Sequence, residues 1–447
     1  MKNARVAKLG AGREGPAGGS QLRRRFQPKQ LTLFAESEID AGFLQSLDPA
    51  FDHYQIGPLD AGRLASFEIL VRSAGISPYR PELIQLRSSG HRFTSASNLW
   101  FAENPNAKTI CITGTKGKST TAALIYHLLT TAGVNSCLAG NIGRPMLDCD
   151  HAGVDLWVLE LSSYQISDLE ARPDIVLLLN LSDEHVDWHG GAKCYASDKL
   201  RLVELVDGGN VLANFADEAL LARLAQNPAV TWFNKRGSWQ ALEDGVISKD
   251  GRRINAVASL PGEHNMQNLA AALSVVDKLG LEIKDIEKAL SAFSGLPHRL
   301  QPIGQREGVR YIDDSISTTP VSVAAALRTI GHTGVVLLLG GMDRGLDWTD
   351  FADQLRDRTP HAIITLPDNG HKIFEAIKNA GVCPAAGLHQ CAQLKEAVEL
   401  ARRLVPDKGC VLLSPGAPSF PHFKDYEDRG NQFKKYAAIE NKVWSTH

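Results

Sequence analysis

The segment Thr109–Thr131 constrains the fold more than any other stretch of this 447-residue chain. Thr109-Ile110-Cys111-Ile112-Thr113 is a short β-branched apolar run of the kind that forms a buried strand, and Gly114-Thr115-Lys116-Gly117-Lys118-Ser119-Thr120 follows at once. An amphipathic helical stretch then runs to about Thr131, and Gly133 suits its C-terminal end. Strand, glycine loop, Lys-Ser and helix in this order cradle phosphate. Glycines let backbone N–H groups close around oxygens, the helix N-terminus adds positive potential, Lys118 neutralises charge, and Ser119 can ligate Mg²⁺. The loop is shorter than GxxxxGK[ST], because Ile112 stands where the first glycine would be. The bland alternative, a tight turn with an accidental lysine, requires strand and helix to be in register by chance.

The rest of the chain repeats the strand–helix alternation. Val6–Leu9, Leu31–Phe34, Leu156–Glu160, Ile175–Asn180, Val335–Leu339, Ala362–Thr365 and Cys410–Ser414 read as further buried parallel strands, and Asn268–Lys278, Val321–Ile330 and Leu394–Leu404 have helical spacing. The expected class is α/β, with right-handed crossovers and ligands at the C-terminal strand edges. At about 150 residues per domain the length suggests three domains. Polar breaks at Ala102–Lys108 and Ser294–Arg299 place them at 1–103, 104–297 and 298–447.

Composition excludes several classes. With 48 basic and 50 acidic residues the net charge is −2, so no broad basic footprint for nucleic acid is expected. Seven cysteines without a CxxC pair fit reduced thiols in a cytosol. The longest apolar runs are far short of a membrane span, and the N-terminal segment has no apolar h-region. A cytoplasmic protein with no membrane partner is expected.

Two strands end on acidic or imidazole groups. Leu156–Glu160 ends on a carboxylate and runs into Leu161-Ser162-Ser163-Tyr164-Gln165; Ile175–Asn180 leads into Ser182-Asp183-Glu184-His185. In a parallel sheet both ends share the edge of the phosphate loop, where a carboxylate can hold Mg²⁺. Taken alone, Glu160 reads equally well as a solvated strand-end acid, and His185 reads better as a hydrogen-bonded structural histidine. The phosphate loop upstream tips Glu160 towards metal.

These segments resemble the Mur ligase superfamily, the ATP-dependent amino-acid-adding enzymes of peptidoglycan precursor synthesis. The motifs are Gly114–Thr120, Gly140-Asn141-Ile142-Gly143, Glu160–Gln165, Asp183–His189 with Tyr195 and Lys199, Gly262–Asn268, Leu296–Arg299, Asp314-Ser315 and Ser414–Gly430, in the family's order. The shortened phosphate loop is the family's own form. The resemblance implies a Rossmann-like N-terminal domain for a UDP substrate, a central ATP-binding domain and a Rossmann-like C-terminal domain for the amino acid. It is closest to the branch that adds glutamate to UDP-N-acetylmuramoyl-L-alanine. Gly12, Arg13 and Glu14, in a GxGxxG pattern after Val6–Leu9, with Ser73, Ala74 and Gly75, would then cradle the UDP part. On its own that pattern would more often indicate a dinucleotide.

The resemblance also implies roles. ATP would activate the substrate carboxylate as an acyl phosphate, and the protein would supply positioning and charge neutralisation. Gly114, Thr115, Lys116, Gly117, Lys118, Ser119 and Thr120 would hold phosphates, Ser119 and Glu160 one Mg²⁺, and His185 a second. Asn141 would orient the transferring group, Asn265 and Asn268 would approach adenine, and Arg299 and Asp314 would reach phosphate and ribose. Lys199, a solvated helix lysine on spacing alone, matches a lysine that the family carbamylates. Such a carbamate would turn a cation into an anion able to bridge metal or place His185, and its formation needs the neutral amine that burial favours.

The amino-acid handedness rests on departures from the D-glutamate pattern. Asp314-Ser315-Ile316-Ser317-Thr318-Thr319-Pro320 has isoleucine where a lysine is common, and Arg344 stands where a lysine often binds the amino acid. With Ser419, Phe420 and Tyr426, and with Thr318, these segments look like the branch that adds L-glutamate and leaves inversion to a separate epimerase. D-glutamate is the alternative. A folylpolyglutamate synthase-like ligase, a non-catalytic nucleotide sensor and a nicotinamide oxidoreductase are the more distant readings. A monomer is expected.

Overall fold

The structure, a computed structural model, describes residues 2–10, 15–36, 50–142, 145–149, 152–182, 186–206, 210–255, 257, 260, 262–343, 345–419 and 421–438. The chain forms two compact units, Met1–Phe293 and Ser294–His447. The boundary expected at 103/104 falls inside the first unit, between its two large sheets.

The first sheet has the order β3-β2-β1-β4-β5, from β1 (Arg5–Leu9), β2 (Gln30–Ala35), β3 (His53–Ile56), β4 (Ile69–Arg72) and β5 (Arg92–Ser95), all parallel. The second has the order β11-β10-β9-β6-β8-β7, from β6 (Thr109–Thr113), β7 (Ser136–Gly140), β8 (Leu156–Glu160), β9 (Ile175–Leu178), β10 (Val211–Asn214) and β11 (Val230–Phe233), again all parallel. A small antiparallel sheet, β12 (Gln240–Leu242), β13 (Gly245–Ile247) and β14 (Arg253–Asn255), follows. The second unit's sheet has the order β15-β16-β20-β17-β18-β19: β15 (Gln301–Arg306), β16 (Val309–Asp313), β17 (Val335–Gly340), β18 (Ala362–Leu366), β19 (Leu388–Gln390) and β20 (Cys410–Leu413). Only β15 runs antiparallel there.

All eight strands read from the sequence are present in parallel pairs. Their unbroken apolar content is what burial on both faces demands. Ile110, Cys111 and Ile112 have no exposure: Cys111 packs in a cluster with Trp100, Trp157 and Leu159, and the helix α1 (Lys118–Thr131) adds Leu124, Ile125, Leu128 and Leu129, also fully buried. Each such side chain contributes about 2 kcal/mol of transfer free energy. The seven cysteines are free thiols. Among the described residues no helix is long and apolar enough to cross a membrane.

Two element ends differ from expectation by more than one residue, each for a local reason. β9 stops at Leu178 rather than Asn180, because Asn180 turns aside to bond the phosphate loop. The helical stretch expected from Asn268 begins at Glu263, so α3 (Glu263–Lys278; α2 is Ala192–Leu205) carries Asn265 and Asn268 in its first turns, one above the other.

Candidate active site

β6 occupies the middle of its sheet, between β9 and β8, and the loops leaving these strands diverge at one edge. Gly114 and Gly117 are required there. A Cβ on Gly114 would stand 2.9 Å from the Leu179 Cβ, and one on Gly117, at φ +82°, would stand 2.4 Å from the Asn268 Oδ1. Asn180 clamps the loop: its carbonyl accepts from Thr115 N at 3.0 Å, its Oδ1 from Lys116 N at 2.7 Å, and its Nδ2 donates to Lys116 O at 3.0 Å. Thr115 Oγ1 accepts from Ser182 N at 2.9 Å and lies 3.0 Å from the Tyr195 hydroxyl. Lys118 Nζ donates to Gly114 O and Thr115 O, both at 2.8 Å, which parks the ammonium on the loop. Ser119 and Thr120 follow half-buried in the first turn of α1.

Glu160 ends β8 with no exposure. Its Oε1 accepts from Asn141 Nδ2 at 3.0 Å, its carbonyl accepts from Asn141 N at 2.8 Å, and its Oε2 has no partner among the described residues. Gly140 makes this approach possible, since a Cβ there would stand 2.3 Å from the Glu160 carbonyl oxygen. A buried carboxylate oxygen without a donor is destabilising unless a cation joins it. A carboxylate oxygen of this kind fits Mg²⁺, and Ser119, in the first turn of α1, is the hydroxyl that would serve as a second protein ligand. Among the described residues no cluster of three or more His, Cys, Asp or Glu could hold a metal.

Lys199, on α2, is 4% exposed; its Nζ donates to Gly114 O at 3.0 Å and lies 4.8 Å from the centre of the Tyr195 ring. The helix thus delivers this lysine to the back of the phosphate loop. On the loop's other side is a recess of about 130 Å³ lined by Gly117, Asn180, Asn214, Phe233, His264 and Asn268, among others. Asn268 Nδ2 donates to Asn265 Oδ1 at 3.1 Å, which fixes the Asn268 amide at this wall.

On the first sheet, Ser73 is turned inward. Its hydroxyl accepts from Lys8 Nζ at 2.8 Å and donates to Gly10 O at 2.9 Å, leaving Ala74 and Gly75 at the loop surface.

In the second unit two aspartates end β16 and its loop. Asp313 accepts from Ser315 N at 2.9 Å and pairs with His298 Nδ1 at 2.7 Å. Asp314 accepts from Leu300 N at 3.1 Å, Ser317 Oγ at 2.5 Å and Ser414 Oγ at 2.7 Å. Burial pushes the Asp314 carboxyl up to about 6, against the pull of Ser317 and Ser414. Together the two hold a strained turn, with His298 at φ +61° and Leu300 at φ +43°, that carries exposed Arg299. Arg429, fully buried on α4 (Tyr426–Tyr436), donates through Nη2 to Ser315 O at 2.8 Å and Ala417 O at 2.9 Å, tying the loops after β16 and β20 together. A cavity of about 250 Å³ opens beside Gly340, Gly341, Leu366, Ser419, His422 and Gln432. Among the described residues, Ser419 is the only one of the expected glutamate residues in its lining. Thr318 is half-buried on the loop after β16, and Tyr426 begins α4 with its ring 5.8 Å from that of His298.

Gly12, Arg13, Glu14, His185, Arg344 and Phe420 lie outside the described residues. Sequence reasoning missed Asn180 and Arg429. Asn180 could have been found as the polar residue breaking an apolar strand beside the loop. A buried arginine within a polar helix leaves no such signal.

A parallel sheet with a glycine loop, a loop lysine, a serine and an unpaired buried carboxylate at one edge defines a nucleotide-phosphate-binding α/β protein. Residues 112–276 match the Mur ligase middle domain, and residues 298–416 match the Mur ligase glutamate ligase domain. The UDP-N-acetylmuramoyl-L-alanine--L-glutamate ligase of Xanthomonas euvesicatoria pv. vesicatoria (strain 85-10) is 41% identical over 98% of this chain and 96% of its own. The protein of the same name in Xylella fastidiosa (strain Temecula1) is 38% identical over 100% and 97%. The crystal structure of UDP-N-acetylmuramate-alanine ligase MurC from Thermotoga maritima shares the fold, with a TM-score of 0.57 and 18% identity over 97% of this chain and 98% of that one. The chain belongs to the Mur ligase family.

Proposed function

We propose that this chain is an ATP-dependent ligase that joins glutamate to UDP-N-acetylmuramoyl-L-alanine in cytoplasmic peptidoglycan precursor synthesis, and that the glutamate is the L-enantiomer. The observation that carries the ligase reading is the unpaired Oε2 of Glu160, buried beside a lysine-bearing phosphate loop. A carboxylate is a poor acyl donor, so its oxygen attacks the γ-phosphorus of ATP and ADP leaves. The glutamate amine then attacks the acyl carbon, phosphate departs and the amine loses a proton. Lys118 and the loop N–H groups hold phosphates, and Asn141 orients the transferring group. Ser119, Glu160 and His185 would hold Mg²⁺, which supplies charge neutralisation. Arg299, on the turn fixed by Asp313 and Asp314, serves the nucleotide from residues 298–447, which we read as the amino-acid domain; 1–103 and 104–297 are the UDP and ATP domains.

Lys199 serves as a carbamate. Its burial against Gly114 supports this role, and a mass gain of one CO₂ under native, bicarbonate-containing conditions reports it. Unmodified lysine under those conditions removes the assignment.

For L-glutamate the support is Ile316 and Arg344, each at a sequence position where a lysine is common, and the names of the relatives. The monomeric enzyme would hand its product to an epimerase. ADP release with each enantiomer in parallel tests both levels. The expected result is a higher kcat/KM for L-glutamate. A D-preference beyond tenfold, about 1.4 kcal/mol in transition-state binding, overturns the enantiomer and leaves the ligase standing.

A further inference from the structure

A chain of side chains that neither the nucleotide nor the expected metal set uses fastens the loop after β4 to the phosphate-loop sheet. Ser163 Oγ lies 3.0 Å from His189 Nε2, His189 Nδ1 lies 2.5 Å from Asp198 Oδ2, and the Tyr79 hydroxyl donates to Asp198 Oδ1 at 2.5 Å. Ser163, His189 and Asp198 are all buried, which leaves Ser163 no access to an ester or amide and excludes a hydrolytic role for this Ser–His–Asp arrangement. Neighbouring bonds run the same way. Trp188 Nε1 donates to Gly75 O at 3.0 Å, Ser77 Oγ donates to Trp188 O at 2.7 Å, and the Trp188 ring stacks on Tyr164 at 4.1 Å. Arg72, at the end of β4, pairs with Asp168 at 2.6 Å and donates to Tyr164 O at 3.0 Å.

Every member adjoins a segment of the proposed site. Ser163 follows Glu160 in the same turn, His189 ends the segment that holds His185, Asp198 precedes Lys199 on α2, and Tyr79 ends the loop of Ser73, Ala74 and Gly75. We infer that Tyr79, Asp198, His189 and Ser163 are positioning residues that report occupancy of the UDP-side loop to the ligation centre. The inference rests on the proposed function. Tyr79 holds Asp198, and the helix holds Lys199 with it, so a UDP part seated against the 72–79 loop steadies this line from its outer end. Binding energy from a part of the substrate that does not react is thereby used for orientation where it does react.

The test compares kcat for UDP-N-acetylmuramoyl-L-alanine with kcat for N-acetylmuramoyl-L-alanine, which lacks the nucleotide. The full-length wild type and Tyr79→Phe are measured side by side, with KM for ATP followed in parallel. Phenylalanine keeps the ring edge-on to Trp188. In the wild type the UDP part is expected to raise kcat by at least about tenfold, and in Tyr79→Phe the ratio falls to within about twofold. Ser163→Ala, at the buried end of the chain, shifts the ratio in the same direction. A wild-type ratio near one overturns the inference, and so does a Tyr79→Phe enzyme whose two kcat values fall in proportion, the mark of a structural role alone. A wild type that ligates neither substrate removes the proposed function, and the inference with it.

Discussion

Both units place a buried carboxylate at the end of a parallel strand, Glu160 closing β8 and Asp314 directly after β16, and the two are treated in opposite ways. In the second unit Asp314 has a donor for each oxygen: Leu300 N for one, Ser317 and Ser414 hydroxyls for the other. In the first unit Glu160, which has no exposure, has one side-chain donor among the described residues, Asn141, and its other oxygen has none. The strand-end position is shared, so position alone does not separate architecture from chemistry. Saturation does. A satisfied carboxylate holds loops in place, as Asp314 holds the turn that carries Arg299. An unsatisfied one leaves room for a further donor or a bound cation.

This contrast can be broken in order of effect size. The largest effect is expected from Glu160→Gln, which should lower kcat by about three orders of magnitude or more. Its thermal stability in EDTA should stay level or rise, because the amide removes an unpaired buried charge. Lys118→Ala should lose activity to a similar degree. Near-wild-type turnover of Glu160→Gln at saturating Mg²⁺ would remove the metal assignment, and a marked fall in its Tm would make Glu160 structural after all. Asp314→Ala should show the converse, a loss of about 3 kcal/mol in unfolding free energy at pH 4, because three donors lose their acceptor. Chemical denaturation measures it, and a loss below about 1 kcal/mol would end the comparison. The smallest effect is in pH. The folded-state carboxyl of Asp314 sits at about 6 against an unfolded value of 3.8, so the folded protein keeps a proton that the unfolded chain releases. That contribution is fully present below about pH 4 and is lost as pH rises through 6, by at most about 3 kcal/mol. The stability difference between wild type and Asp314→Ala should therefore narrow from pH 4 to pH 7. A difference that widens contradicts the raised carboxyl.

Much of this was legible in the chain because it depends on local pattern. The apolar runs that became β6, β8, β17 and β20 needed no knowledge of their neighbours, since burial on both faces leaves only one composition open to them. Lys118, Ser119 and Glu160 were readable as groups at one strand edge for the same reason. What was not legible depends on contacts between distant segments. Nothing near Asp198 announces that Tyr79 will reach it, and nothing near Arg429 announces that two loop carbonyls will take its donors. Asp314 looked like a ligand contact, and its engagement with Ser317, Ser414 and Leu300 N became visible only once the 298–300 turn was in place.

The close approach of Gly117 to Asn268 joins two positions far apart in the chain. Any side chain at 117 would meet the Asn268 amide head-on and would also have to accept φ +82°. A side chain at 117 would therefore push the Asn268 amide off Asn265, and a displaced or shortened residue at 268 opens the wall of the recess beside it. The shape of that wall is thus set from two places in the chain at once.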